Sequence, residues 1–141
     1  MTKKFILSAL MTACFAAVSA QNSNGPFHAY LYNSTYRVYL QINLYDQNVS
    51  VPGHELYGEL PGYLGKKDYS FCWSITSCEV KNDHEAELQL INDYGSEDLT
   101  ATLTCENDSI FVLQQQKGST LKVPHKGKWQ KLPKTLTFKK K

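Results

Sequence analysis

Three observations predict an all-β fold for this chain. Apolar and polar side chains alternate strictly in several short runs. Turn-forming residues separate those runs about every ten positions, and no segment sustains a helical period. The count is about eight short antiparallel strands. Residues 36–44 are the clearest case. Tyr36, Val38, Leu40, Ile42 and Leu44 share one face, and Arg37, Tyr39, Gln41 and Asn43 share the other. A period of two with β-branched and aromatic residues is the pattern of a half-buried strand.

The remaining elements follow in chain order. Residues 48–51 are a short strand, stopped by Pro52-Gly53. Residues 54–65 are broken by Gly58, Pro61, Gly62 and Gly65, with residues 55–60 able to pair back as a strand. Residues 69–75 alternate with Tyr69, Phe71, Trp73 and Ile75 together, which marks the centre of the core and predicts a buried Trp73. Residues 85–90 turn Ala86, Leu88 and Leu90 inward, and residues 99–105 do the same with Leu99, Ala101, Leu103 and Cys105. Glu106-Asn107-Asp108 reads as a hairpin turn before a strand at 109–114. Lys117-Gly118 turns the chain into residues 120–123, and residues 124–133 read as a loop carrying an exposed Trp129. Residues 134–139 close the chain with Leu136 and Phe138 on one face. The architecture is a small barrel (lipocalin-like) or a sandwich. Closure is favoured because it removes unpaired strand edges.

The N-terminus carries a different message. Lys3 and Lys4 precede an apolar run from Phe5 to Val18, and Val18-Ser19-Ala20 places small residues before Gln21. That is the order of a cleaved secretory signal over residues 1–20, so the product is expected to be secreted or periplasmic. The alternative is a lipid anchor at Cys14, within Met11-Thr12-Ala13-Cys14. Residues 21–34 begin polar and turn-rich and read as a flexible leader, and residues 35–141 read as a single β domain with basic C-terminal strands. Cleavage leaves 121 of the 141 residues, with no second apolar stretch of transmembrane length.

Charge is split along the chain. All 13 acids lie between Asp46 and Asp108, while residues 117–141 hold nine lysines and no acid. The split is explained if the lysine-rich strands lie against Glu85, Glu87 and the turn at 93–98. Nucleic acid is not expected as a partner, because the tail has neither arginine clusters nor interleaved stacking aromatics.

Catalytic motifs are missing from the pattern. There is no Gly-x-Ser-x-Gly elbow and no His-Glu-x-x-His, and His28, His54, His84 and His125 are scattered. Neither a catalytic residue, a metal nor a cofactor is expected, and the chain reads as a non-enzyme. The observation that would change this is a meeting of Cys72 or Cys78 with His54, His84 or His125 in one cleft. Cleavage leaves Cys72, Cys78 and Cys105, an odd number. Cys72 and Cys78 fall on the same face of one straight strand, too far apart to pair, and a bridge from either to Cys105 stays open. The acidic turn at 92–98 resembles a calcium loop only in composition, since its ligands do not alternate. Asn33, Asn48 and Asn107 begin sequons.

Tyrosine is abundant. Tyr57 and Tyr63 flank a glycine- and proline-rich stretch, and Trp129 sits among Lys126 and Lys128. These five residues are the candidate ligand contacts, because aromatic rings join an apolar face to a polar tip. The chain therefore reads as an exported binding module for an unknown glycan, small apolar molecule or protein. The alternative is a secreted inhibitor of a protease or lysozyme, presenting residues 54–65 as a stiffened loop. The signal, the Tyr94–Leu99 run Tyr-Gly-Ser-Glu-Asp-Leu and the Trp129–Lys134 run Trp-Gln-Lys-Leu-Pro-Lys resemble small exported β-domain proteins of Gram-negative bacteria with no assigned function. That resemblance implies export and a β fold.

Overall fold

The computed structural model describes residues 24–141. The secretory signal and the alternative anchor at Cys14 lie outside the described residues. The strands are β1 (His28–Asn33), β2 (Val38–Asn43), β3 (Val49–Ser50), β4 (Glu59–Leu60), β5 (Gly62–Lys66), β6 (Cys72–Val80), β7 (Glu85–Ile91), β8 (Asp98–Cys105), β9 (Ile110–Gly118), β10 (Lys122–His125), β11 (Lys128–Lys131) and β12 (Thr135–Lys140). Eight of them close an antiparallel barrel in the order β1-β12-β9-β8-β7-β6-β5-β2. The barrel is the expected architecture, and the sandwich is excluded.

Closure runs through β1, which pairs with β2 along its whole length and with β12 at Leu31↔Lys140 and Tyr32↔Lys139. This corrects the described part of the flexible leader expected at 21–34. Residues 28–33 are a barrel stave, with Leu31 buried and Phe27 buried just before it. The polar residues 21–26 hide a strand whose apolar positions, Phe27, Ala29 and Leu31, are spaced by two.

The interior is filled by side chains, as an eight-stranded barrel of this kind allows. Val38, Leu40 and Ile42 enter from β2, Leu64 from β5, and Trp73 and Ile75 from β6. Ala86, Leu88 and Leu90 come from β7, Leu99, Ala101 and Leu103 from β8, and Phe111 and Leu113 from β9. Leu136 and Phe138 complete the set from β12. Trp73 is 1% exposed, as alternation predicted. Its indole Nε1 donates to the Lys122 carbonyl at 2.9 Å. Trp73 therefore lies beneath the β10–β11 hairpin, whose buried Val123 and flanking Leu121 and Leu132 extend the core.

That hairpin replaces the loop expected at 124–133. Lys122, Val123, Pro124 and His125 pair with Lys131, Gln130, Trp129 and Lys128. Lys126 (φ 52°) and Gly127 (φ 77°) form the two-residue turn. Two positive φ angles give the twist that matches flanking strands, and glycine accepts one without strain. Gln115 ties the segment down. Its Nε2 donates to the Pro133 carbonyl and its Oε1 accepts from the Leu121 N–H.

Two corrections concern β6 and its thiols. A bulge between Ile75 and Ser77 shifts the register, so Cys78 and Val80 turn toward the core while Cys72 stays on the outer face. Cys72 and Cys78 therefore do not share a face, because one extra residue reverses the alternation. Cys72, Cys78 and Cys105 are all free thiols among the described residues, so neither bridge to Cys105 forms.

The lysine-rich end also differs from expectation. β12 lies between β1 and β9, not beside β7. Two strands, β9 and β8, thus separate basic β12 from acidic β7. One contact of the expected kind forms, between Lys122 Nζ and Glu97 Oε2 at 3.2 Å.

Candidate functional site

The connection from β2 to β5 builds the site. It leaves one end of the barrel after Leu44, which is buried, and climbs the outer wall of β5 and β6 as a strap. β3 and β4 pair within it at Val49↔Leu60 and Ser50↔Glu59. A single 3-10 turn (Glu55–Tyr57) sits between them, where the sequence allowed a longer strand at 55–60. The strap explains why outward-facing Cys72 and Ser74 are buried. Val51, in the strap itself, is fully buried apart from the main core cluster.

At its top the strap meets the opposite rim. His54 Nε2 lies 2.5 Å from Asp93 Oδ1, in the β7–β8 turn. Cys72 Sγ approaches the same oxygen at 3.7 Å and the Pro52 carbonyl at 3.9 Å. The ligand atoms of His54, Cys72 and Asp93 all lie within 4.8 Å of one another. Burial first, and the Asp93 carboxylate second, push the Cys72 thiol up to about 12. Cys72 and His54 therefore come within 4.8 Å, but no hydrogen bond joins thiol to imidazole among the described residues. Both groups point at the carboxylate, rather than the thiol at the imidazole. A raised thiol is also a weak nucleophile. The arrangement is that of a hydrogen-bonded clasp or a ligand set, not of an activated dyad.

The acidic turn is held by one side chain. Asn92 Oδ1 accepts from the Ser96 and Glu97 N–H groups. Its carboxylates go elsewhere, Asp93 to His54 and Glu97 to Lys122. The acids of this turn are thus spread among separate partners rather than gathered.

Aromatic rings surround the clasp. The Tyr57 ring stacks on His54 at 5.2 Å with 5° between planes. Beyond Asp93, Phe71, Tyr94 and Trp129 form a triangle of tilted and edge-on contacts with centroids 5.1–6.3 Å apart. Trp129 is 52% exposed, as expected, and Tyr94 more so. On the outer wall, Tyr30, Tyr39 and Tyr63 form a second row, with Tyr39 stacked on Tyr30 at 5.4 Å and edge-on to Tyr63 at 5.8 Å. Gly65 makes this row possible, because a Cβ there would overlap the Tyr39 ring. Burial, then a hydrogen bond to Tyr39, raises the Tyr63 phenol well above its ordinary range. Between the row and the clasp lies a cleft of about 160 Å³ lined by Tyr39, Pro52, Gly53, Tyr63, Tyr69 and Cys72 among others.

Of the five residues chosen from the sequence, Tyr57 and Trp129 reach the same rim, joined through His54–Asp93 and Tyr94. Tyr63 lines the cleft. Lys126 and Lys128 sit exposed at the tip of the β10–β11 hairpin, where the Lys126 N–H donates to the Tyr69 hydroxyl at 2.9 Å. Sequence reasoning raised a meeting of Cys72 with His54 without predicting it, and missed Asp93 and Tyr94 as their neighbours. They lie up to 40 positions apart, and only the strap's climb brings them together. No helix among the described residues is long and apolar enough to cross a membrane. No family model, curated protein or solved structure matches this chain.

Proposed function

We propose that this protein is an exported, non-enzymatic binding module that holds a glycan on the aromatic rim formed by Tyr57, Tyr94 and Trp129. The observation that carries this reading is the Phe71–Tyr94–Trp129 triangle. It keeps two large rings open to solvent on a rigid hairpin and turn. Open ring faces beside polar tips and lysines suit a ligand with apolar C–H faces and hydroxyl edges. The side chains filling the barrel favour a ligand on the rim over a small apolar molecule inside. The apolar run from Phe5 to Val18 supports export. Titrating an array of soluble oligosaccharides while following Trp129 fluorescence tests the reading. Saturable change in wild type, lost in Trp129→Ala, is the expected result. Failure of every sugar to perturb the fluorescence at millimolar concentration would overturn it.

One observation favours the second reading, a protease or lysozyme inhibitor. Leu56 is fully exposed at the tip of the strap, beside half-exposed Tyr57. An apolar tip on a tethered loop is suited to filling a pocket on another protein. Incubation with a panel of proteases and lysozymes distinguishes the readings. Inhibition lost in Leu56→Ser selects the inhibitor, and no slowing at micromolar protein removes it.

A further inference from the structure

We propose that His54, Cys72 and Asp93 form a binding site for one divalent transition-metal ion, with zinc the best match. The donor set is one imidazole nitrogen, one sulfur and one carboxylate oxygen. That mixture suits a borderline ion and does not suit magnesium or calcium, which take oxygen ligands.

The three donor atoms lie within 4.8 Å of one another, and two of their three separations are known individually. Metal–ligand bonds of about 2.0–2.3 Å in a tetrahedral site place ligand atoms roughly 3.3–3.7 Å apart. Cys72 Sγ and Asp93 Oδ1 are already 3.7 Å apart. His54 Nε2 and Asp93 Oδ1, at 2.5 Å, have to separate by slightly under 1 Å, within the reach of side-chain rotation.

Each ligand is held by its own backbone frame. Cys72 stands in the barrel ladder opposite Gly65. The N–H of His54 donates to the Val51 carbonyl at 2.9 Å. Asp93 follows Asn92, whose side chain closes the turn. Three ligands from three elements make a site assembled by tertiary folding.

The site is shielded yet reachable. Cys72 is 3% exposed, and His54 and Asp93 are mostly covered. The cleft lined by Pro52, Gly53, Tyr63, Tyr69 and Cys72 reaches the sulfur side of the site, where a fourth ligand, water or a bound group, would enter. Without metal, the thiol proton faces the carboxylate. Metal uptake replaces it: M²⁺ plus Cys72–SH gives Cys72–S–M⁺ and one released proton, with no change of oxidation state. The proposal is independent of the glycan reading, since a protein that binds no sugar can still take up zinc.

Cobalt(II) titration of the metal-stripped chain tests it. One equivalent should produce a near-ultraviolet thiolate-to-cobalt band and visible bands of tetrahedral intensity, both erased by zinc. Cys72→Ser should lose the near-ultraviolet band. His54→Ala and Asp93→Asn should weaken binding at least tenfold, while Cys78→Ser and His84→Ala should bind as wild type. Zinc should raise the wild-type Tm reversibly with chelator. X-ray absorption of the zinc-loaded wild type needs no variant, and one sulfur among the nearest scatterers is expected. A sulfur-free shell, no thiolate band in wild type, or an unchanged band in Cys72→Ser would overturn the proposal.

Discussion

The meander β6–β9 and the strap between β2 and β5 are similar in importance and opposite in character. In β7 and β8 one face meets the core and the other meets water, and burial alternates residue by residue. In β5 and the first half of β6, nearly every residue is buried, because the core lies on one side and the strap on the other. The meander supplies stability through simple patterning. The strap supplies a covered second layer, and with it the partly buried polar groups that chemistry requires.

The largest effect tests the barrel side. Trp73→Ala should cost about 3–5 kcal/mol by denaturant unfolding, since it empties the space beneath the β10–β11 hairpin and orphans the Lys122 carbonyl. A cost near zero would mean that the hairpin, not the barrel, carries this end of the core. Next is Gly65→Ala, where the new Cβ displaces Tyr39 from between Tyr30 and Tyr63. Overpacking of this kind costs about 1–3 kcal/mol. Near-ultraviolet circular dichroism should change with it, and an unaltered tyrosine signal would show that the row is not locked.

The pH dependence sharpens the comparison. The Cys72 thiol is raised from 9.0 to about 12 in the fold, by burial first. A raised folded value means that its stabilisation is complete below pH 9 and is lost as pH rises toward 12. In the metal-free protein, wild-type Tm should therefore fall more steeply over that window than the Tm of Cys72→Ala. Parallel curves would place the thiol in water, with the strap open. The smallest effect belongs to the rim. Trp129→Ala should change stability by about 1 kcal/mol or less, because its ring contacts are half-exposed. A larger loss would make Trp129 a structural residue and count against its role in binding.

Legibility followed burial. Val38, Leu40, Ile42, Ala86, Leu88, Leu103, Leu136 and Phe138 all enter the core as their alternation required. Within the leader expected at 21–34, β1 is hidden because it begins beside the turn residues Gly25 and Pro26. The loop at 124–133 failed because Pro124 and Gly127 look like breaks, yet here Pro124 lies in a two-stranded ribbon and Gly127 in its turn. The bulge after Ile75 leaves no mark in residue type, so the straight strand that would put Cys72 and Cys78 on one face does not form.

The sequence by itself determined an all-β chain, most of its inward-facing residues, a buried Trp73 and an exposed Trp129. These depend on local period and on the transfer of apolar side chains from water, which each strand expresses independently. Only the tertiary structure decided that β1 and β12 close the barrel, that β9 and β8 separate basic β12 from acidic β7, and that His54, Cys72 and Asp93 meet. Those outcomes depend on which strands pair and on where the strap climbs. Both are set by long-range packing that no stretch of a few residues encodes.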